Sequence, residues 1–313
     1  MERKRHKALC VFLINLVSFL KELKKMKSLK KSFGLGGRRK SGLSFAKILC
    51  GLIMLAVPLC TSCGEKKVDV QKALEKENYK ASDLMVAVPG QNFSILATEV
   101  TQELYESVMG ENPSKFKGEK NLPVECVSWI DAVSFCNKLS EKEGLKPCYS
   151  YKESTNAAQW DLDNNEMSDW SENKWKKFNK NFVCDTAANG YRLPTVAEWQ
   201  LAAMGGQVFK CSGSDNLDEV GWYDGNSEEK TQPVAQKKPN GYGLYDMSGN
   251  VGEWCGDLDE YLLDSNGNSF RYVCGGSWFS YAYGCEVGGR DWYLANCTGS
   301  NLGFRVVRSS SKK

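Results

Sequence analysis

A single histidine, His6, stands in the 313 residues, so a metal centre built on several imidazoles has no ligands here. No Cys-x-x-Cys spacing occurs after Cys63, which argues against a zinc ribbon. No phosphate-cradling glycine loop or dinucleotide fingerprint follows a strand pattern, and no internal repeat recurs. Nucleotide-driven chemistry and solenoid architectures therefore drop out. Basic surplus is also missing where it would matter. The net charge is +3, but much of the positive charge sits in residues 2–47, in Arg3, Lys4, Arg5, Lys7 and the run from Lys21 to Lys40. The remainder is acidic, which excludes nucleic acid as a partner of the folded part.

Residues 48–59 (ILCGLIMLAVPL) form an apolar run too short to span a bilayer comfortably. Basic residues precede it and the small Thr61 and Ser62 follow it, the pattern of an export signal. Pro58, Leu59, Cys60, Thr61, Ser62 and Cys63 are similar to a lipoprotein cleavage box, with Cys60 where leucine is usual. Cys63 is then the lipidated first residue of a mature chain anchored at the outer membrane or cell surface; an ordinary signal or an uncleaved anchor is the alternative. Met26 is a second candidate start, because residues 10–20 are an apolar run that a signal does not need. Of 13 cysteines, nine follow Cys63, an odd number that cannot all pair within one chain, and export permits disulfides without saying which.

The expected organisation is a basic arm and signal over 1–62, a charged tether over 63–82, and one folded domain over 83–313. Leu84, Val86 and Val88 alternate as a strand before the Pro89–Gly90 turn, and residues 93–96 return. Thr98 or Thr101 caps a short helix to Met109. Ser128 with Asp131 opens a second, whose Ile130, Val133, Phe135, Cys136 and Leu139 bury one face; Thr195 with Glu198 opens a third around Trp199. Residues 152–183, with Trp160, Trp170 and Trp175, read as a surface excursion. From Gly221 onward, glycines at 241, 243, 249, 252 and 256 punctuate the chain so densely that little regular structure is expected.

Residues 275–305 differ from all of this. Gly275, Gly276, Ser277 and Trp278 form a tight turn with an aromatic anchor, and residues 302–307 read as a closing strand. Between them Phe279, Tyr281, Tyr283, Trp292 and Tyr293 alternate with Ser, Gly, Asp, Asn and Thr, without helical or strand period. Isolated aromatics usually fill a core. This mixture is instead the one used where rigid contact area must be combined with adaptable hydrogen bonding. Phe279, Ser280, Tyr281, Asp291, Trp292, Tyr293, Asn296, Thr298 and Ser300 are the candidate ligand-binding residues, mostly exposed, with Trp278, Arg290 and Phe304 held inside.

Taken in order, Met85-Val-Ala-Val-Pro-Gly90, Glu99-Val-Thr101, Pro123-Val-Glu-Cys-Val-Ser-Trp129, Asn189-Gly-Tyr-Arg-Leu-Pro-Thr195, Asn240-Gly-Tyr-Gly-Leu-Tyr-Asp246, Gly249-Asn-Val-Gly-Glu-Trp254, Gly275-Gly-Ser-Trp278 and Gly303-Phe-Arg305 resemble the formylglycine-generating-enzyme family. The resemblance implies an α+β domain of the C-type lectin fold, with few short helices, short strands and much irregular structure. The family's oxidases bind copper through two cysteines after the GGS motif; here the matching positions hold Ser280 and Cys285, and one thiolate does not make a Cu(I) site. Its sulfoxide synthases bind iron through three histidines, which this chain lacks. Neither copper nor iron is expected, and no enzyme activity.

The same segment resembles the variable proteins of diversity-generating retroelements, whose residues between GGSW and GFR are rewritten by adenine-directed mutagenesis. Glu286 and Trp292 are not reachable from an asparagine codon by changing adenines alone, so they are fixed or had another template. The family also implies a structural Ca²⁺ held by Asp246, Glu253 and the carbonyls of Gly249 and Val251, unless the two acids simply cap turns. The leading expectation is a monomeric, surface-displayed, non-catalytic binding protein whose partner is a protein or cell-surface ligand. The alternatives are a thiol-dependent enzyme acting on exported proteins through Cys285 or Cys297, and a structural envelope protein.

Overall fold

Val70, Ala73 and Leu74 recur at helical spacing while Gln71, Lys72 and Glu75 are exposed, so helix α1 (Val70–Leu74) buries one face. In the computed structural model, which describes residues 68–160, 181–263 and 269–310, that face joins the core containing Leu84 and Leu96. The folded domain thus begins near residue 70, and the tether expected over 63–82 is overturned from there on. Contacts divide the chain into Met1–Glu65 and Lys66–Lys313, and the description concerns the second unit. The export signal and Cys63 lie outside the described residues. Among the described residues no helix is long and apolar enough to cross a membrane.

The first sheet joins the two ends of the domain. Strand β1 (Met85–Ala87) turns through Gly90, whose φ of +77° favours glycine, and returns as β2 (Phe93–Leu96) with Met85 facing Leu96. The last strand, β10 (Val307–Ser309), then inserts between β2 and β5 (Tyr191–Arg192), pairing Val307 with both Ile95 and Arg192. Ile95 and Val307 have no exposed surface. The C-terminus therefore closes the domain. Strands β3 (Tyr149–Tyr151) and β4 (Phe182–Cys184) form a separate pair. Trp160, expected on the surface, is buried with its ring edge-on to Phe182, because an aromatic beside this hairpin finds apolar neighbours in it. Trp170 and Trp175 lie outside the described residues.

The helices start where local chemistry says they should. Thr101 caps α2 (Gln102–Met109), and capping boxes open α3 (Trp129–Lys142) through Ser128 and Asp131 and α4 (Val196–Met204) through Thr195 and Glu198. The α3 face carries Phe135, stacked on Tyr105 at 5.4 Å and edge-on to Phe304 at 5.2 Å, which ties the middle of the chain to its end. A short helix, α5 (Leu217–Val220), follows.

The second sheet, in the order β8-β7-β6-β9, holds the segment of interest. Strand β6 (Gly252–Leu263) pairs antiparallel with β7 (Ser269–Cys274) and parallel with β9 (Leu302–Gly303), while β8 (Arg290–Leu294) adds to the free side of β7. The glycine punctuation before residue 256 thus gives way to a 12-residue strand. Strand β8 arises inside a stretch read as loop. Strand β6 is set by its hairpin partner β7 and β8 by the strand before it, and the residue pattern of neither strand names its partner.

Candidate ligand-binding surface

Two adjacent glycines make the root of the candidate site. Gly275 has φ +94° and Gly276 φ +70°, and a Cβ on Gly276 would stand 2.7 Å from the carbonyl oxygen of Gly284 and 2.8 Å from Cys285 Sγ. No larger residue fits there. The turn delivers Trp278, half-buried, whose backbone N–H donates to the Asn250 carbonyl at 2.8 Å and whose indole N–H donates to the Ser300 carbonyl at 2.8 Å. Phe116 meets the same indole edge-on at 5.4 Å. Trp278 therefore clamps both ends of the segment, but it is half-buried rather than held inside as expected, because the turn it follows lies at the surface beside exposed Phe279. At the far end Phe304 has no exposed surface.

Between these anchors the side chains turn outward. Phe279 and Tyr281 are each 67 % exposed, Tyr283 74 % and Trp292 48 %. Asp291 and Thr298 are exposed; Ser280, Tyr293, Asn296 and Ser300 are half-buried; none of the nine candidates is buried. Tyr281 and Tyr283 stack with centroids 6.0 Å apart, at a short 3-10 turn (Ala282–Cys285) that buries only Cys285. Trp292 faces Tyr272 across the β7–β8 ladder, and Tyr293 packs its ring edge-on against Trp254 at 6.2 Å. Tyr293 is thus partly a core residue. Arg290, expected inside, is exposed: it opens an edge strand, and its guanidinium lies 5.1 Å above the Tyr272 ring while remaining in water.

Sequence reasoning passed over Val208, 84 % exposed, and Phe209, 42 % exposed. The Val287 N–H donates to the Lys210 carbonyl, so this apolar tip adjoins residues 275–305. Two apolar residues following Gln207, just past the Gly205–Gly206 helix stop, are the signal. Exposed apolar side chains forgo about 1.5–3 kcal/mol each of burial, a cost that a ligand can recover.

The positions that carry metal or thiol chemistry in the family do otherwise here. Ser280 closes the turn: its Oγ accepts from the Ser277 N–H at 3.0 Å. Cys285 has no exposed surface, and burial pushes its thiol up to about 12. Cys297 is half-buried, its thiol also raised by burial. Neither has thiolate character at neutral pH.

The residues expected to hold calcium divide: the Glu253 carboxylate is engaged, while Asp246 keeps one buried oxygen without a partner. Glu253 has no exposed surface, and both its oxygens are spent: Oε1 accepts from Arg305 Nη2 at 2.6 Å, and Oε2 accepts from Arg305 Nε at 2.6 Å and from Trp199 Nε1 at 2.7 Å. A guanidinium on this carboxylate stands where calcium needs a free one. Asp246 Oδ2 accepts from the Ala235 N–H at 2.7 Å, and only its buried Oδ1 lacks a partner. Among the described residues no group of three or more His, Cys, Asp or Glu converges on a metal position. Glu99 joins the cluster, accepting from Asn250 Nδ2 and the Val251 N–H. Burial, then Asp246 and Glu253, hold the Glu99 carboxyl well above the usual carboxylate range, and burial lifts Asp246 to about 6. Arg305 is the cation of this cluster.

Comparison with known proteins agrees with this architecture. The structure superposes on Treponema denticola variable protein 1 with a TM-score of 0.60 at 36% identity, covering 72% of this chain and 91% of that one. A chaperone protein, LppX, of Paenibacillus barcinonensis is 42% identical over 238 residues, 70% of this chain and 80% of that protein. The formylglycine-generating enzyme of Streptomyces coelicolor is 33% identical over 149 residues, 39% of this chain and 48% of the enzyme. The sulfatase-modifying factor enzyme 1-like domain matches residues 61–310, and with that span the chain belongs to the formylglycine-generating-enzyme-like family, in its C-type lectin fold.

Proposed function

We propose that this protein is a surface-displayed, non-catalytic binding protein whose residues 275–305 form a diversifiable ligand site. The observation that carries the reading is the contrast within that segment: Phe279, Tyr281, Tyr283 and Trp292 are exposed while Trp278 and Phe304 anchor its two ends. A segment tolerates rewriting only where its side chains contribute little to the core. The 36% identity to a variable protein supports the same reading. Buried, protonated Cys285 and a turn-closing Ser280 support its non-catalytic part. The export signal and Cys63 support display through a lipid anchor.

The genome tests diversification. A near-identical, adenine-rich copy of the coding segment for residues 275–305 is expected beside a reverse-transcriptase gene. If no such copy exists and independent isolates carry one unchanging segment, the diversifiable site is wrong. Replacing Cys63 tests display, since release into the soluble fraction is expected and continued membrane attachment means an uncleaved anchor. The 42% identity to LppX favours a second reading, a chaperone whose exposed aromatics hold an unfolded exported polypeptide. Suppression of aggregation of several unrelated unfolded proteins would favour it over a ligand-specific surface.

A further inference from the structure

Cys255 on β6 and Cys274 at the end of β7 bring their sulfurs within 3.7 Å of each other, and both thiols are free. Neither has exposed surface. The ladder explains the encounter. Glu253 faces Cys274, and a residue two positions along a strand returns to the same side, so Cys255 lies diagonally across from Cys274 on one face of the sheet. The pairing shifts register after Trp254, which frees the β6 backbone at Cys255 from regular spacing. Around the two sulfurs the core cluster is apolar, with Trp199, Met247 and Val287 among its members.

We propose that Cys255 and Cys274 form a disulfide that staples β6 to the residue directly before the Gly275–Gly276 turn. The bond needs the sulfurs to close from 3.7 Å to the ~2.05 Å of S–S. It arises by exchange with a disulfide oxidant, RS–SR. One cysteine thiolate attacks RS–SR, releases RS⁻ and leaves a mixed disulfide. The second cysteine loses its proton to solvent and attacks the protein sulfur of that mixed disulfide, forming the Cys255–Cys274 bond and releasing the second RS⁻. The protein gives up two protons and two electrons, and the oxidant is reduced to two thiols.

Burial sets the timing. The Cys255 thiol is held well above its ordinary range by burial and then by its Cys274 neighbour, so the folded pair exchanges slowly. Oxidation therefore belongs to folding, before the core closes over the sulfurs, and the finished bond is shielded from reductants. Its place gives it a purpose. It fixes the root of the segment from the core side, within the cluster that Val287 also joins.

The test uses the full chain refolded in mixed oxidised and reduced glutathione, so it does not depend on export or on ligand binding. The product is denatured, blocked with N-ethylmaleimide without reduction, digested and mapped by mass. The expected result is one species joining the Cys255 and Cys274 peptides, about 2 Da lighter than the two thiol peptides together. The melting temperature should fall by roughly 5–10 °C when refolding is done with reductant alone. Cys255→Ser and Cys274→Ser should each abolish the joined peptide and leave the remaining cysteine blocked by maleimide. The proposal is overturned if both cysteines carry maleimide in the native sequence, or if either is joined to a different cysteine. Because mapping of the native sequence decides the matter, failure of a variant to fold does not.

Discussion

Arg305 is the cation set against three buried acids, Glu99, Asp246 and Glu253, and the imbalance has measurable consequences. Burial works against charge on Arg305 but the Glu253 pair overrides it, so the guanidinium stays ionised and Glu253 is fully engaged. Asp246 is the group left over, lifted by burial from 3.8 to about 6. An acid raised on folding stabilises the protein below its unfolded pKa, and that contribution is lost as pH rises through the folded value. Between about pH 4 and 6 the folded chain thus holds a proton that the unfolded chain has released. Asp246→Asn should remove this dependence, raising stability at pH 7 by on the order of 3 kcal/mol and changing it little at pH 4. Urea denaturation at the two pH values checks the sign. A chelator should leave the native melting temperature unchanged, because Arg305 already neutralises Glu253; a fall that calcium reverses would restore the metal reading.

At the scale of elements, α4 shows what a capping box does beyond capping. Glu198 accepts from both terminal nitrogens of Arg192 at 2.6 Å, and its Oε2 also accepts from the Thr195 N–H at 2.9 Å, so one carboxylate holds the helix start and β5 together. Burial pulls its pKa up, but Arg192 and the Thr195 bonds outweigh it and hold the carboxyl below its usual range. The resulting stability is present above about pH 4.5 and lost as pH falls. Glu198→Gln should cost about 2–4 kcal/mol at pH 7 by leaving buried Arg192 unpaired, and the gap to the native chain should narrow by about pH 3. Urea midpoints at both pH values decide. The boxes at Ser128 and Thr195 were legible because a cap needs only residues three apart. Strands β6 and β8 were not, since dense glycines and mixed polar residues there carry no strand alternation and the ladder partners supply the pairing. Helix α1 was missed because five residues among charges carry too little pattern to outweigh composition. Within the site, the exposed aromatics followed from the mixture of residue types, whereas Arg290 was misplaced because edge-strand position is a tertiary fact.

At the scale of the whole domain, anchoring residues separate from exposed ones. Strand β10 sits between β2 and β5, Phe304 packs against Phe135, and Trp278 reaches Asn250 and Ser300, so these anchors bind the ends of the domain to its middle. Between them Phe279, Tyr281, Tyr283 and Trp292 face water, and their loss removes little burial. Replacing Phe279, Tyr281 and Trp292 together with alanine should therefore shift stability by no more than about 0.5 kcal/mol per site while abolishing partner binding, because rigid aromatics dominate such surfaces. Phe304→Ala, at 0 % exposure, should cost about 3–5 kcal/mol. Tyr293→Ala should fall between, since its ring is half-buried against Trp254. Thermal melts of the three variants rank them. If the triple substitution is as damaging as Phe304→Ala, the exposed aromatics support the core and the segment is not free to vary.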